Sequence, residues 1–146
     1  MLIKREKYLQ VLINSMNNGL IKVISGIRRC GKTFILLYFF YDHLIETGVA
    51  EENIIVIPLD DEKCREFCDS ERLYSFIREK ISDENQKYYV LIDEAPNAIS
   101  GQEMKNQDGA ENLHAALLRL NKMNNVDIYL TGSNGRFFSS YIKGEF

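Results

Sequence analysis

The sequence contains few cysteines and no long apolar segment, and both absences narrow the class of protein. Its 146 residues include three cysteines, an odd and low number that argues against a disulfide framework. Cys64 and Cys68 are four residues apart, but a metal site would need more ligands and both histidines lie far from them in the sequence, so we interpret the cysteines as reduced thiols. No stretch reaches the roughly 20 apolar residues that a membrane-spanning helix needs, and residues 1–6 lack the apolar run of a secretory signal. We therefore expect a cytoplasmic protein with no membrane segment.

An excess of positive charge is also missing. The formal net charge at pH 7 is −3, so the total charge gives no indication of a nucleic-acid partner. The distribution is uneven, because residues 1–34 carry seven basic residues and one acid, whereas residues 42–71 carry ten acids and two lysines or arginines. A basic amino-terminal segment would attract a polyanion such as ATP, although a solvated surface explains most of these charges equally well.

Hydrophobic patterning predicts one α/β domain over residues 1–146. Apolar residues recur at helical spacing in several segments, and four short apolar runs are typical of buried strands. Since helices and strands alternate, we predict a three-layer fold with a mostly parallel sheet between helices. The predicted helices cover residues 4–17, 32–47, 70–81 and 110–123, with a short helix after residue 135; the predicted strands cover residues 21–25, 53–59, 88–92 and 127–131; a loop covers residues 95–109.

The first predicted strand is followed by a glycine-rich segment that matches the P-loop pattern GxxxxGK[ST]. Gly26 and Gly31 permit the tight path that turns backbone N–H groups toward a phosphate. We predict that Lys32 reaches the β- and γ-phosphates and that the Thr33 hydroxyl ligates Mg²⁺. A chance glycine-rich turn is the alternative, but the strand before the segment and the helix after it favour a P-loop. The predicted nucleotide-binding residues are Gly26, Ile27, Arg28, Arg29, Cys30, Gly31, Lys32 and Thr33.

Five aromatic residues lie in the helix that follows the P-loop. Their helical spacing is typical of core residues rather than of a platform for the nucleobase. The five are Phe34, Tyr38, Phe39, Phe40 and Tyr41.

Two consecutive carboxylates, Asp93 and Glu94, stand at the end of the third predicted strand. Beside a P-loop, Asp93 is expected to hold Mg²⁺, usually through a water, and Glu94 to activate the attacking water as the catalytic base. An acidic turn after an ordinary strand is the alternative interpretation. The Asp-Glu pair and the absence of the guanine-reading Asn-Lys-x-Asp pattern favour ATP over GTP.

Polar residues also end the fourth predicted strand, where residues 131–134 read Thr-Gly-Ser-Asn. Asn134, as a catalytic residue, or Ser133 would contact the γ-phosphate or the attacking water and sense the bound nucleotide. A turn that caps a following helix is the alternative. Arg136 is a candidate arginine finger acting on a neighbouring subunit.

Together these motifs resemble the prokaryotic AAA-type ATPase domain that is usually joined to a C-terminal domain of unknown function. The resemblance covers most of the chain, from the Arg5-Glu6-x-Tyr8 segment to Ser139-Ser140. It implies a sheet ordered 2-3-4-1-5 and assigns the role of catalytic base to Glu94. It also implies a conformational change, driven by the nucleotide, that acts on an unknown partner. The segments that carry it are residues 24–33, 53–55, 91–94 and 127–134.

The sequence departs from the family pattern in two places. Ala95-Pro96 and a long polar stretch to Gly109 stand where relatives tend to carry Ile-Gln and a short loop. Relatives also continue with a fifth strand beside the first and a long C-terminal region. We therefore predict the order 2-3-4-1, a C-terminally truncated core, and an exposed edge on the first strand that would accept another copy or the missing region.

The leading hypothesis is a Mg²⁺-dependent ATP hydrolase with ATP and Mg²⁺ as cofactors. The alternative is a nucleotide-binding module or switch with little intrinsic turnover. The predicted truncation would remove the lid and arginine groups that relatives carry further along, and an arginine finger alone is worth about 10³–10⁵ in rate. A P-loop kinase acting on a small molecule is a third class. The sequence displays no acceptor site, which disfavours the kinase.

Overall fold

A four-stranded parallel sheet forms the centre of the protein. A computed structural model of the chain describes residues 2–25, 33, 35–59, 69–95 and 108–132. The strands are β1 (Lys22–Ser25), β2 (Ile54–Pro58), β3 (Tyr88–Asp93) and β4 (Val126–Gly132). Their spatial order is β1-β4-β3-β2, and every neighbouring pair is parallel. This order confirms the predicted 2-3-4-1 arrangement.

Helices connect the strands as predicted, with small shifts at their ends. In chain order they are α1 (Leu2–Asn14), a π-helical segment (Ile35–Phe40) that continues into α2 (Tyr41–Glu46), α3 (Ser70–Lys80) and α4 (Asp108–Asn121), with a 3-10 turn at Glu51–Asn53 before β2. The predicted loop over residues 95–109 was wrong at its end, because residues 108–109 already belong to α4. Residues 133–146, including the helix predicted after residue 135, lie outside the described residues. No helix in the part that the structure describes is long and apolar enough to cross a membrane.

Each face of the sheet carries its own hydrophobic core. Side chains alternate along a strand, so Tyr88, Val90 and Ile92 of β3 point to one face, and Tyr89 and Leu91 point to the other. The first face packs against α3 and α4, and the second against α1, the π-helical segment and α2. All residues of β3 and β4 are buried, which is usual for parallel sheets covered on both sides.

A buried ion pair lies at the amino end of the sheet. The Lys22 ammonium is 1% exposed and pairs with the carboxylate of Asp127. Asp127 also accepts hydrogen bonds from the Tyr129 hydroxyl at 2.5 Å and from the Asn17 backbone N–H at 2.9 Å. The backbone of Asn17 has a φ of 60°, a left-handed conformation that asparagine tolerates well. The ion pair and its hydrogen bonds therefore fasten the turn after α1 to β1 and β4.

Burial dominates the ionisation of this cluster. It lowers the pKa of Lys22, and the hydrogen bond and negative charge of Asp127 oppose that lowering. Burial, followed by the charge of Asp127, raises the pKa of Tyr129 far above its ordinary value. The Tyr129 side chain therefore stays a neutral hydrogen-bond donor.

Candidate functional site

Polar side chains from three separate segments meet at the carboxyl end of the sheet. Asp93 ends β3, Thr131 is the second-last residue of β4, and Thr33 belongs to the helical region that follows β1. Bound ligands in open parallel sheets lie outside the carboxyl ends of the strands. The end opposite the Lys22–Asp127 pair is therefore the candidate site.

A hydrogen bond joins Thr33 to Asp93 across 60 residues of sequence. The Thr33 hydroxyl lies 3.0 Å from Oδ1 and 3.2 Å from Oδ2 of Asp93, so its single proton faces both carboxylate oxygens. Asp93 is 4% exposed. These are the two residues that the sequence proposed as ligands of one Mg²⁺, and the fold brings them together. Their roles as ligands stay predictions.

The Thr131 hydroxyl contacts both carboxylate residues that end β3. It donates to Oδ1 of Asp93 at 2.5 Å and accepts from the backbone N–H of Glu94 at 2.9 Å. Thr131 is fully buried. The contact follows from the register of β3 and β4, in which Leu91 lies opposite Tyr129. Two residues further along, on the same face of the sheet, are Asp93 in β3 and Thr131 in β4.

Glu94 has an unusual backbone conformation. Its φ is 54°, in the left-handed region, and its side chain has no property that favours this region as glycine or asparagine would. Such a conformation costs about 1–3 kcal/mol and persists where the surroundings compensate, often at functional sites. Leaving a buried N–H without a partner costs a similar amount, about 1–3 kcal/mol. The hydrogen bond from Glu94 to Thr131 is therefore large enough to decide the conformation of this turn.

The side chains at this end of the sheet fit Mg²⁺. A hydroxyl that donates its proton to Asp93 still has oxygen lone pairs for a cation. Mg²⁺ prefers oxygen ligands and is usually held by one or two carboxylates together with substrate phosphates. Within residues 2–25, 33, 35–59, 69–95 and 108–132, no three His, Cys, Asp or Glu side chains cluster into a metal cage. The Thr33 hydroxyl and the Asp93 carboxylate are oxygen ligands of the kind that Mg²⁺ takes beside a bound phosphate.

Several predicted site residues lie outside the described residues. They are Gly26, Ile27, Arg28, Arg29, Cys30, Gly31 and Lys32 of the P-loop, the sensor candidates Ser133 and Asn134, and Arg136. Of the aromatic residues after the P-loop, Phe40 is buried, which confirms a core position. Tyr38 is 56% exposed, so its interpretation as a core residue was wrong. The π-helical winding of residues 35–40 differs from the 3.6-residue period on which that interpretation was based.

Sequence reasoning did not single out Thr131. It placed the sensing role on Ser133 and Asn134, which follow the strand, and overlooked the hydroxyl within it. The signal was available, because the predicted order puts β4 beside β3. Side-chain alternation then places the hydroxyl-bearing Thr131 at the same end of the sheet as Asp93.

Comparisons with known proteins identify the family and the fold. A family model described as "AAA domain" matches residues 18–145. The chain belongs to the AAA domain family. Among curated proteins, an uncharacterized protein of Haemophilus influenzae is 36% identical over 138 residues, which are 94% of this chain and 31% of that protein. The AAA domain described here thus spans about a third of that relative's length.

Solved structures show the same fold at low sequence identity. The Drosophila ORC bound to AT-rich DNA and Cdc6 gives a TM-score of 0.58 at 12% identity, covering 97% of this chain and 50% of that chain. Caenorhabditis elegans PCH-2 gives 0.54 at 20% identity, covering 90% and 34%. Aeropyrum pernix ORC2, solved in ADPNP-ADP complexes, gives 0.54 at 18% identity, covering 93% and 42%. The AAA-type resemblance and the three-layer P-loop fold are confirmed, and family membership supports an ATPase-like nucleotide-binding function.

Proposed function

We propose that residues 1–146 act as one AAA domain that binds ATP with Mg²⁺, hydrolyses it, and transmits the nucleotide state to a partner. The hydrogen bond between Thr33 and Asp93 carries the proposal. It joins the last residue of the P-loop sequence to the strand-end carboxylate at the carboxyl edge of the sheet. The second carboxylate, Glu94, follows directly.

The chain's own groups divide the work of binding. Backbone N–H groups of residues 26–31 would surround the phosphates, and the Lys32 ammonium would contact the β- and γ-phosphates. The Thr33 hydroxyl and the Asp93 carboxylate would hold Mg²⁺, Asp93 usually through a water. When bound, Mg²⁺ neutralises charge that develops on the phosphate oxygens.

Glu94 is the proposed general base. Its carboxylate would accept a proton from a water whose oxygen attacks the γ-phosphorus, while the bond between the γ-phosphorus and the β,γ-bridging oxygen breaks and ADP leaves. The residue is only 9% exposed, and it stands directly after Asp93 in the sequence. Asn134 or Ser133 would contact the γ-phosphate from the end of β4.

The Asp93→Asn variant tests the proposed cation site. The amide keeps an oxygen that can accept from Thr33 and Thr131, but it loses the negative charge that attracts Mg²⁺. We expect ATP affinity in the presence of Mg²⁺ to fall about 10-fold or more, a size typical of altered groups at metal sites. Affinity measured with EDTA should change much less. Titration with a fluorescent ATP analogue measures both affinities.

The exposed Asp42 offers a matched control, because Asp42→Asn removes the same charge from the surface. It should leave both affinities unchanged. If Asp93→Asn showed the wild-type response to Mg²⁺, the assignment of Asp93 would be rejected. A wild-type protein that binds ATP no more tightly than millimolar would reject the proposed function itself.

A further inference from the structure

We propose that Thr131 is a positioning residue that joins the Asp93 carboxylate and the Glu94 backbone into one unit and thereby sets both Mg²⁺-dependent ATP binding and turnover. The inference rests on the function proposed above and adds a residue from β4 to that site. Thr131 is fully buried, so its effect is exerted through Asp93 and Glu94.

The direction of both hydrogen bonds follows from their chemistry. The backbone N–H of Glu94 can only donate, so the Thr131 oxygen accepts that bond, which is 2.9 Å long. A hydroxyl has one proton, and a carboxylate can only accept, so the proton of Thr131 is directed to Oδ1 of Asp93 at 2.5 Å. One hydroxyl therefore hydrogen-bonds both the Asp93 carboxylate and the Glu94 backbone N–H, and it fixes the position of one relative to the other.

Thr131 holds the Asp93 carboxylate in place from a buried strand. The Asp93 Oδ1 atom also accepts from Thr33 at 3.0 Å, so two hydroxyls from different segments converge on it. Thr131 lies in β4, whose residues are all buried and which pairs with strands on both sides. Its hydroxyl restricts rotation of the carboxylate and so orients the oxygen atoms that would face Mg²⁺.

For Glu94, Thr131 stabilises a backbone turn that is otherwise unfavourable. Glu94 has a left-handed φ of 54°, and the bond to Thr131 compensates for this conformation. The direction in which the Glu94 side chain leaves the strand depends on that turn. Without the Thr131 hydroxyl, the proposed base would lose its fixed position relative to Asp93.

Two substitutions separate the hydroxyl from the shape of the side chain. Thr131→Val is nearly isosteric but removes both hydrogen bonds, whereas Thr131→Ser retains the hydroxyl and loses a methyl group. For Thr131→Val we expect the midpoint Mg²⁺ concentration of the Mg²⁺-dependent increase in ATP affinity to rise about 10-fold. We also expect kcat for phosphate release to fall about 10-fold or more. Thr131→Ser should stay within about threefold of wild type on both measures.

Tyr129→Phe controls for a general loss of stability. It removes a different buried hydroxyl from the same strand, one that donates to Asp127 at 2.5 Å at the opposite end of the sheet. Its melting temperature should fall as that of Thr131→Val does, whereas its response to Mg²⁺ should match wild type. If Thr131→Val does not fold, Thr131→Cys provides the same test, because a thiol is only a weak donor and a weak acceptor.

Each outcome of these measurements decides between the hypotheses. A Mg²⁺ response that is altered in Thr131→Val and restored in Thr131→Ser supports the inference. If wild type binds Mg-ATP and the hydroxyl-free variants respond to Mg²⁺ as wild type does, the inference is overturned and the proposed function stands. Equal losses in Thr131→Val and Tyr129→Phe would also overturn it, because they would show a general effect of stability. A wild type that does not bind Mg-ATP would reject both.

Discussion

Replacing Glu94 by glutamine is expected to lower the rate of phosphate release by about 10²–10⁴-fold, the usual contribution of a general base. Glutamine has nearly the same shape, but its amide cannot accept a proton from water. ATP affinity should stay near the wild-type value, because Thr33 and Asp93 are unchanged. The bond from residue 94 to Thr131 uses the backbone N–H, so this substitution leaves it intact. Single-turnover phosphate release at saturating Mg-ATP, with binding measured in parallel, tests the prediction.

The exposed Glu84 provides a charge-matched control in the connection between α3 and β3. Glu84→Gln should release phosphate at the wild-type rate. Equal rates for Glu94→Gln and wild type would mean that Glu94 is not the base. If wild type binds Mg-ATP but releases phosphate no faster than a sample without protein, the alternative of a nucleotide-binding switch with little hydrolysis would be favoured.

The elements of the fold could be predicted because the strands carry strong, short apolar signals. The run Tyr88 to Ile92 is almost entirely apolar, as expected for a strand buried on both faces, and it became β3. The sheet order came instead from the resemblance to AAA-type domains, since periodicity does not say which strands are neighbours. The π-helical winding after the P-loop had no sequence signal, and the exposure of Tyr38 was missed because residues 38–41 are consecutive and cannot all face the core from one helix.

The candidate site was predictable where a motif has a fixed geometry. A P-loop places its Thr beside the carboxylate that ends another strand, and Thr33 indeed contacts Asp93. The left-handed backbone of Glu94 could not be predicted, because glutamate has no preference for that region. Thr131 was overlooked since a threonine in a buried strand is typical of ordinary strand composition.

The Lys22–Asp127 ion pair could not be predicted either, for a different reason. A charged residue at the beginning of a short strand is usually solvated, and the two residues are 105 positions apart. Only the pairing of β1 with β4, which sets Lys22 opposite Tyr129, brings the ammonium beside the carboxylate. Sheet order therefore determines this buried pair, and local sequence contains no sign of it.

Asp127→Asn is expected to lower the free energy of unfolding by about 3–5 kcal/mol, because it leaves the Lys22 ammonium buried without its counter-charge. That loss is a large share of the 5–15 kcal/mol that stabilises a typical domain. The asparagine oxygen can still accept from Tyr129 and Asn17, so the lost charge accounts for most of the effect. Urea denaturation followed by circular dichroism measures the change.

The double variant Lys22→Met/Asp127→Asn isolates the contribution of the pair. Removing both charges leaves no uncompensated ion, so we expect the double variant to be more stable than Asp127→Asn alone. Tyr129→Phe, which removes a hydrogen bond but no charge, should cost only about 1 kcal/mol. If Asp127→Asn lowered the free energy of unfolding no more than Tyr129→Phe, the Lys22 side chain would have to be solvated or uncharged in the folded variant.

The destabilisation by Asp127→Asn should also shrink as the pH rises from 7 toward 9.5. Without Asp127, burial lowers the pKa of Lys22 unopposed by the acid, further below the ordinary 10.5 that applies in the unfolded chain. At a pH between the lowered Lys22 pKa of the folded variant and the ordinary pKa of the unfolded chain, the unfolded state binds more protons than the folded state. The free energy of unfolding of Asp127→Asn therefore increases with pH in this range. The measurement stops below pH 10, because the raised pKa of Tyr129 makes folding less favourable above its ordinary value of 10.0. If the difference in free energy of unfolding between Asp127→Asn and wild type stayed constant from pH 7 to 9.5, the prediction that a buried, unpaired Lys22 charge destabilises the variant would be rejected.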